Sequence, residues 1–256
     1  MLLSFNKKGT RIMLPNCELV KADGTQFLVF KGQDLISNHL KQELYENDLH
    51  QLSLKLLINE PAGEVLDIGA NLGTFCVPLA RKVAKHIYHA FEPQRIVYYQ
   101  LCANTFINGL DNVHCHNFGM SDREERLVLT MPDYTTEGNI GAFSMDKEVR
   151  ENAYECKTEG VKEPLVVFTL DSGAHQNVRL IKIDVEGHEL EVIKGGIETI
   201  KKNNYPPIIF EAWTWKPWFE SKRKTLFEYL KGHGYDIQQL GHNNLAQHPN
   251  HGKTPK

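Results

Sequence analysis

Hydrophobic positions along this chain fall into two alternating patterns. Short apolar runs that end at an acid mark buried strands: Val65-Leu66-Asp67, Ile87-Tyr88-His89-Ala90-Phe91-Glu92, Leu180-Ile181-Lys182-Ile183-Asp184 and Ile208-Ile209-Phe210-Glu211. Helical spacing fills the stretches between them. A helix to about Val83 follows the first run, and Pro78 near its first turns requires a late start. Another carries Ile96, Tyr99 and Leu101 and ends at Gly109, a fitting C-terminal cap before a strand from Val113 to Phe118. A third, from about His188, shows Leu190, Ile193, Ile197 and Ile200 on one face, with Gly195-Gly196 kinking or dividing it. Strands alternating with helices predict an α/β domain with a parallel sheet.

Three stretches depart from that rhythm. Arg11 to Phe30 is β-rich and broken by a turn at Ala22-Asp23-Gly24; Leu35 to Leu57 then reads as helix, with Leu49, Leu52 and Leu56 as its stripe. Residues 1–60 thus form a lead-in, and 61–241 the main domain. Leu127-Val128-Leu129 and Leu165-Val166-Val167-Phe168 read as strands flanking a polar insertion at about 132–162, too long for an ordinary connection. It is either an arm that grips an acceptor or a surface excursion. Residues 242–256, with His242, His248 and His251, read as a polar tail, disordered or strapped across the surface.

Composition narrows the function classes. The formal charge is −3, from 29 basic and 32 acidic residues, which disfavours a nucleic-acid binder relying on phosphate neutralisation. No apolar run reaches membrane-spanning length and the N-terminus carries no long apolar stretch, so a cytoplasmic protein without membrane contact is expected. Five cysteines, an odd number with no C-x-x-C, point to a reducing compartment. His114-Cys115-His116 resembles a metal cluster, but on a strand the cysteine points away from the histidines, and no metal is expected there.

The chemistry concentrates after the first strand. Asp67-Ile68-Gly69-Ala70-Asn71-Leu72-Gly73-Thr74 is a strand-to-helix turn whose glycines bend the backbone and let a ligand approach. A dinucleotide turn spells G-x-G-x-x-G, its second glycine admitting a pyrophosphate; here that position is Asn71. The turn fits instead a cationic nucleoside without phosphates, and S-adenosylmethionine (SAM) is such a ligand. Glu92, roughly one βα unit later, stands where an acid takes the ribose hydroxyls, and Pro93 stops its strand. An NAD-dependent oxidoreductase shares this layout, but Asn71 weighs against it. Four acids on one rim, Asp67, Glu92, Asp184 and Glu211, suit a polyhydroxylated or cationic guest.

Asp67-Ile-Gly-Ala-Asn-Leu-Gly73, Phe91-Glu-Pro93, Asn104 with Asn108-Gly109, and above all Ile181-Lys-Ile-Asp-Val-Glu-Gly-His-Glu-Leu-Glu-Val-Ile-Lys-Gly195 resemble the FkbM-type SAM-dependent methyltransferases. The resemblance spans roughly Asp34 to Glu211. It implies a class I Rossmann-like fold: a mostly parallel seven-stranded sheet with helices on both faces, with Asp34-Leu-Ile and Tyr45-Glu46 in a lid. It also implies that Asp67, Gly69, Ala70, Asn71, Gly73 and Thr74 line the methionine end of SAM, that Glu92 and Pro93 hold the ribose, and that Met120 and Ser121 lie by the adenine. Family members mostly methylate hydroxyls of small molecules or glycans. His188 stands at a variable family position, so no role transfers to it.

Methyl transfer to oxygen relies on alignment and on a base, which contributes roughly 10² to 10⁴. Asp184, Glu186 and His188 are the candidate bases. A divalent cation on Asp184, Glu186 and Glu211 is set against helix capping by Glu186 or Glu189; capping is favoured and no metal is expected. Glu211, Trp213 and Trp215 are candidate acceptor contacts, the indoles serving either as a sugar-stacking platform or as packing for the insertion. A small-molecule or glycan acceptor is expected; the remaining alternative is a SAM-binding protein without turnover.

Overall fold

The structure is a computed structural model, and it describes residues 16–32, 34–134, 139–152 and 160–251. The start of the β-rich stretch at Arg11, parts of the predicted insertion and the end of the tail lie outside the described residues.

The chain runs β1 (Cys17–Ala22), β2 (Thr25–Phe30), α1 (Leu35–Leu40), α2 (Asn47–Leu57), β3 (Glu64–Ile68), α3 (Cys76–Lys82), β4 (Ile87–Phe91), α4 (Arg95–Ile107), β5 (Val113–His116), β6 (Gly119–Met120) and β7 (Glu125–Thr130). It continues through α5 (Lys147–Asn152), β8 (Lys162–Phe168), β9 (Val178–Ile183), α6 (Glu189–Lys194), α7 (Ile197–Lys202), β10 (Ile208–Glu211), α8 (Glu220–Gly232), β11 (Asp236–Leu240) and β12 (Asn243–Gln247). Seven strands form the central sheet in the order β11-β12-β10-β9-β3-β4-β5. From β10 to β5 every pairing is parallel, and β12 runs antiparallel to both its neighbours. This is the α/β, mainly parallel class I methyltransferase architecture, with mixed strand direction at one side.

Alternation along each strand divides the core between the two sheet faces. Val65, Tyr88, Ala90, Leu180, Ile209 and Leu245 pack with α2 and α3, while Leu66, Ile68, Phe91, Ile181, Ile183 and Phe210 pack with α6, α7 and α8. At about 25 cal/mol per Å², each such buried aliphatic side chain contributes about 1.5 to 3 kcal/mol of transfer free energy.

Several local expectations meet specific outcomes. The predicted 35–57 helix is two helices, because Glu46 turns the chain through the left-handed region at φ 52°. In α2 the buried residues are Leu49, His50, Ser53 and Leu57, with Leu52 and Leu56 only half-buried beside them. α3 starts at Cys76, so Pro78 falls in the first turn, where no intrahelical N–H partner is needed. Gly195 and Gly196 do divide the helix, into α6 and α7. A side chain at Gly195 would meet the Ser121 carbonyl at 1.9 Å, which is why the break carries glycine.

One element corrects the sequence-based expectation. Part of the segment read as a tail, Asn243–Gln247, is an inner strand, β12, bonded on both edges. Leu245 and Ala246 point to opposite core clusters, so a short and mostly polar run is buried on both faces. The strands flanking the insertion pair with each other, β7 antiparallel to β8, and with β6 make a separate three-stranded sheet.

The β1–β2 hairpin is held by α4. Asn104 accepts from Leu28 N at 2.6 Å and donates to Leu72 O at 2.8 Å, tying hairpin to glycine turn; Asn108 bonds both backbone groups of Gln26. No helix among the described residues is long and apolar enough to cross a membrane.

Candidate active site

At the end of β3 the chain turns sharply under β4. Gly69 N and Ala70 N donate to Phe91 O at 3.0 and 2.9 Å, which fixes the turn against the neighbouring strand. Gly69 has φ 81°, and a Cβ there would lie 1.9 Å from Asp184 O, so backbone of the β9–α6 loop occupies the space a side chain needs. Asn71, also left-handed at φ 52°, directs its N–H to Glu92 Oε2 at 3.0 Å. Gln94 N donates to the other oxygen at 2.8 Å. Glu92 is thus a buried carboxylate set by two backbone donors, with lone pairs left for vicinal hydroxyls. Burial pushes its pKa up to about 7, against those two N–H groups, which pull it down.

Glu92 lines a cleft whose empty space, counted with its open mouth, is about 760 Å³. Gly69, Asn71 and Thr74 form its floor, Pro93, Gln94, Phe118 and Met120 one wall, and Lys182, Asp184, Val185 and Glu186 the other. Two covers close over it. Ile36, Tyr45 and Glu46 come from the lead-in, and Asn139, Gly141, Phe143 and Met145 from the insertion. The covers meet at Asp34, whose Oδ2 caps α1 through Ser37 N at 2.9 Å while its Oδ1 accepts from Ile140 N at 3.4 Å. Gly141 packs on the turn so closely that a Cβ would sit 2.0 Å from Asn71 Nδ2.

Electrostatically the cleft is acidic with one embedded cation. Lys182 lies opposite Asp67 in the strand register, its Nζ 3.8 Å from Asp67 Oδ1 and 3.1 Å from Asp184 Oδ2. Burial works against its charge, but Asp184, Asp67 and Glu46 outweigh that and hold its pKa above the usual lysine value. Asp67 is fully buried; burial raises its pKa, Lys182 opposing. Two carboxylates against one ammonium leave a net negative charge that suits a sulfonium.

Glu211 sits below the cleft, accepting from Trp213 Nε1 at 2.8 Å. Burial first, then Asp184, Glu186 and Glu189, push its pKa up to about 10, so it carries a proton at neutral pH. The ligand atoms of Asp184, Glu186 and Glu211 lie within 4.8 Å of one another, an oxygen-only set that could hold magnesium or calcium. The proton on Glu211 relieves the same repulsion without an ion. Glu189, not Glu186, holds the loop backbone: its Oε1 accepts from Val185 N and Gly187 N at 3.2 and 3.1 Å, and burial raises its pKa to about 8.

The residues expected in the site divide accordingly. Gly69, Asn71, Thr74, Glu92, Pro93, Met120, Asp184 and Glu186 line the cleft. Asp67, Ala70, Gly73, Ser121, His188, Glu211, Trp213 and Trp215 lie outside its lining. Asp67 shares the sheet face of Val65 and acts beneath the turn through Lys182. His188 Nε2 is paired with Ser121 Oγ at 2.9 Å, away from the cleft. Trp213 is 3 % exposed, packed on Phe219 and under the Lys216 ammonium at 3.6 Å, so its indole offers no face to an acceptor. Trp215 is exposed, edge-on to His242.

Sequence reasoning missed Gln94, Phe118 and Lys182 as lining residues. Lys182 left a signal: a lysine inside a buried strand, two residues before Asp184 and therefore on the same face, must find a partner.

The residues fit SAM. Glu92 would take the ribose hydroxyls, and Phe118, Met120 and Pro93 give an apolar slot for the adenine. Asn139 Oδ1 is a buried acceptor with no hydrogen-bond partner among the described residues, on a residue that lines the cleft.

Comparison with known proteins agrees. Methyltransferase sdnD of Sordaria araneosa is 26% identical over 247 residues, covering 86% of this chain and 89% of that protein. Hexuronic acid methyltransferase AglP of Haloferax volcanii is 26% identical over 159 residues, 59% of this chain and 58% of that protein. Among solved structures, a precorrin-6y C5,15-methyltransferase from Geobacter metallireducens GS-15 superposes with a TM-score of 0.46 at 14% identity, over 81% of this chain and 91% of that one. Residues 67–237 match the methyltransferase FkbM domain. That span takes in the glycine turn, Glu92 and the acid-rich loop after β9, and the chain belongs to the FkbM methyltransferase family, with SAM as its cofactor.

Proposed function

We propose that this methyltransferase acts on a hydroxyl oxygen of a saccharide or another small hydroxylated acceptor, and that Asp184 takes the hydroxyl proton. The observation that carries this reading is the pair of carboxylates, Asp184 and Glu186, facing the cleft beside Lys182. Carboxylates accept from vicinal hydroxyls, and Lys182 at 3.1 Å orients Asp184 without removing its second oxygen from use. His188, another candidate base, is engaged by Ser121. The Cys76 thiol is fully buried and its pKa is raised well above the usual value, mainly by burial, which leaves it un-ionised. The similarity to AglP, a hexuronic acid methyltransferase, supports a sugar acceptor.

When bound, SAM supplies an electrophilic methyl carbon on a sulfonium. The chain's own part is to hold the ribose at Glu92, to align the acceptor oxygen, and to exclude water with Tyr45 and Phe143 from the two covers. Alignment is worth the most, since effective molarities reach about 10⁵ to 10⁸ M.

The test uses methyl-labelled SAM with a panel of sugars, polyols and amines. Label on a hydroxyl oxygen, with S-adenosylhomocysteine formed in step, is the expected result; label on nitrogen alone overturns the proposal. Asp184→Asn is expected to keep SAM affinity within a few-fold and to lose roughly 10² to 10⁴ in turnover. Formation of S-adenosylhomocysteine also separates this reading from a protein that binds SAM without turnover.

A further inference from the structure

On the sheet face carrying Leu66 and Phe91, near the β5 edge, histidines gather with one carboxylate. β3 contributes Glu64, β4 His89, β5 His114 and His116, and the loop before β9 His175. The register accounts for the grouping: His89 pairs with His114, and His116 with Phe91 on the adjoining strand, all on one face.

We propose that Glu64, His89 and His175 form a binding site for a divalent transition metal ion of the zinc class, separate from the cofactor cleft. Their ligand atoms all lie within 4.8 Å of one another. Glu64 Oε2 is 2.8 Å from His175 Nδ1 and 3.7 Å from His89 Nε2. Ligands at about 2.0 to 2.2 Å around a tetrahedral ion are separated by roughly 3.3 to 3.6 Å, so small side-chain shifts suffice. Two imidazoles and one carboxylate match zinc and its neighbours, whereas magnesium and calcium prefer oxygen alone. A fourth position remains for water.

The surroundings are those a metal centre needs. Glu64 Oε1 accepts from Gln176 N at 3.2 Å, which turns the other oxygen toward the histidines. His89 Nδ1 faces His116 Nε2 at 3.1 Å. With His89 Nδ1 carrying the proton and His116 accepting it, Nε2 is left bare toward Glu64 and His175. Such outer partners fix the tautomer of metal-bound histidines. The three side chains are 11 to 20 % exposed, which shelters an ion and still admits it.

An ion here would join β3 and β4 to the loop at 173–177, behind Phe91, whose ring stacks on His116 at 4.7 Å and also lines the cleft. The site therefore acts on the fold and not on the methyl group.

The test titrates Co²⁺ into tag-free, chelator-stripped full-length protein, with excess Mg²⁺ to occupy the oxygen-only acids of the cleft. Visible absorption of nitrogen-and-oxygen-bound Co²⁺ is expected at one equivalent, displaced by Zn²⁺, with a higher melting temperature in either metal. His175→Asn and Glu64→Gln are expected to abolish the absorption, and His116→Phe to weaken Zn²⁺ binding about 10- to 100-fold. His248→Asn is expected to bind as the parent does. His175 lies in a loop, and far-ultraviolet circular dichroism of His175→Asn without metal checks that it folds. Absorption that fails to appear, or that survives in folded His175→Asn and Glu64→Gln, overturns the proposal, as does its loss in His248→Asn.

Discussion

The two walls of the cleft carry acids in opposite circumstances. On the β4 side Glu92 stands alone, each oxygen met by a backbone N–H from Asn71 or Gln94. On the β9 side Asp184 and Glu186 crowd together with Glu46 and with Glu211, which lies outside the lining, sharing the Lys182 ammonium and one indole N–H. The first wall is organised before any ligand arrives, since backbone donors set by a strand-to-helix turn have little freedom to rearrange. The second relieves its repulsion by keeping a proton on Glu211. Under the proposed function the first would hold the cofactor in one geometry and the second would receive the acceptor.

The largest effect should come from the one cation of the second wall. Lys182→Met leaves Asp67 buried and uncompensated, and urea unfolding should show a loss of about 3 to 5 kcal/mol. Adding Asp67→Asn should restore most of it; a single variant within about 1 kcal/mol of the parent would mean the pair does not bind the walls together.

Next comes the isolated acid. Glu92→Ala removes charged hydrogen bonds worth about 1.5 to 3 kcal/mol each, so calorimetry should show SAM affinity falling by about 100-fold or more. Unchanged affinity would place the ribose elsewhere.

A smaller effect follows from its titration. The folded pKa of Glu92 is about 7, above the ordinary 4.5, so its contribution to stability is fully present below pH 4.5 and lost as pH rises through 7. Glu92→Gln should therefore exceed the parent in stability by roughly 1 to 3 kcal/mol at pH 8, and match it near pH 4.5. Unfolding curves of both proteins at the two pH values check the sign.

Glu211→Gln should do least. With a pKa of about 10 the acid is already neutral at pH 7, and the amide oxygen can still accept from Trp213 Nε1. Stability within about 0.5 kcal/mol of the parent is expected; a gain of several kcal/mol would show that Glu211 is ionised and the second wall more strained than argued.

How much of this was legible in the chain depends on how local the cause is. The turn at Asp67 to Gly73 and the acid at Glu92 were readable, because strand period, left-handed glycine and a fixed βα length are set by neighbours in sequence. The break at Gly195-Gly196 was readable for the same reason. Strand β12 was not: Asn243-Asn244-Leu245-Ala246-Gln247 has little apolar signal, and it is a strand because β10 and β11 leave a gap bonded on both edges. Nor was the fate of Trp213, decided by Phe219, Trp218 and Lys216 closing over it.

By itself the sequence determined the alternating strands and helices, the glycine turn after β3 and the acids at the strand tips. Only the tertiary structure decided what those acids are. It buries Asp67 against Lys182 and keeps a proton on Glu211, and it turns His188 toward Ser121 and gathers His89 and His175 around Glu64. The reason is physical: strand period and turn geometry act over a few residues, whereas desolvation and Coulomb interaction depend on distances between groups as far apart in the chain as Glu46, Asp184 and Glu211.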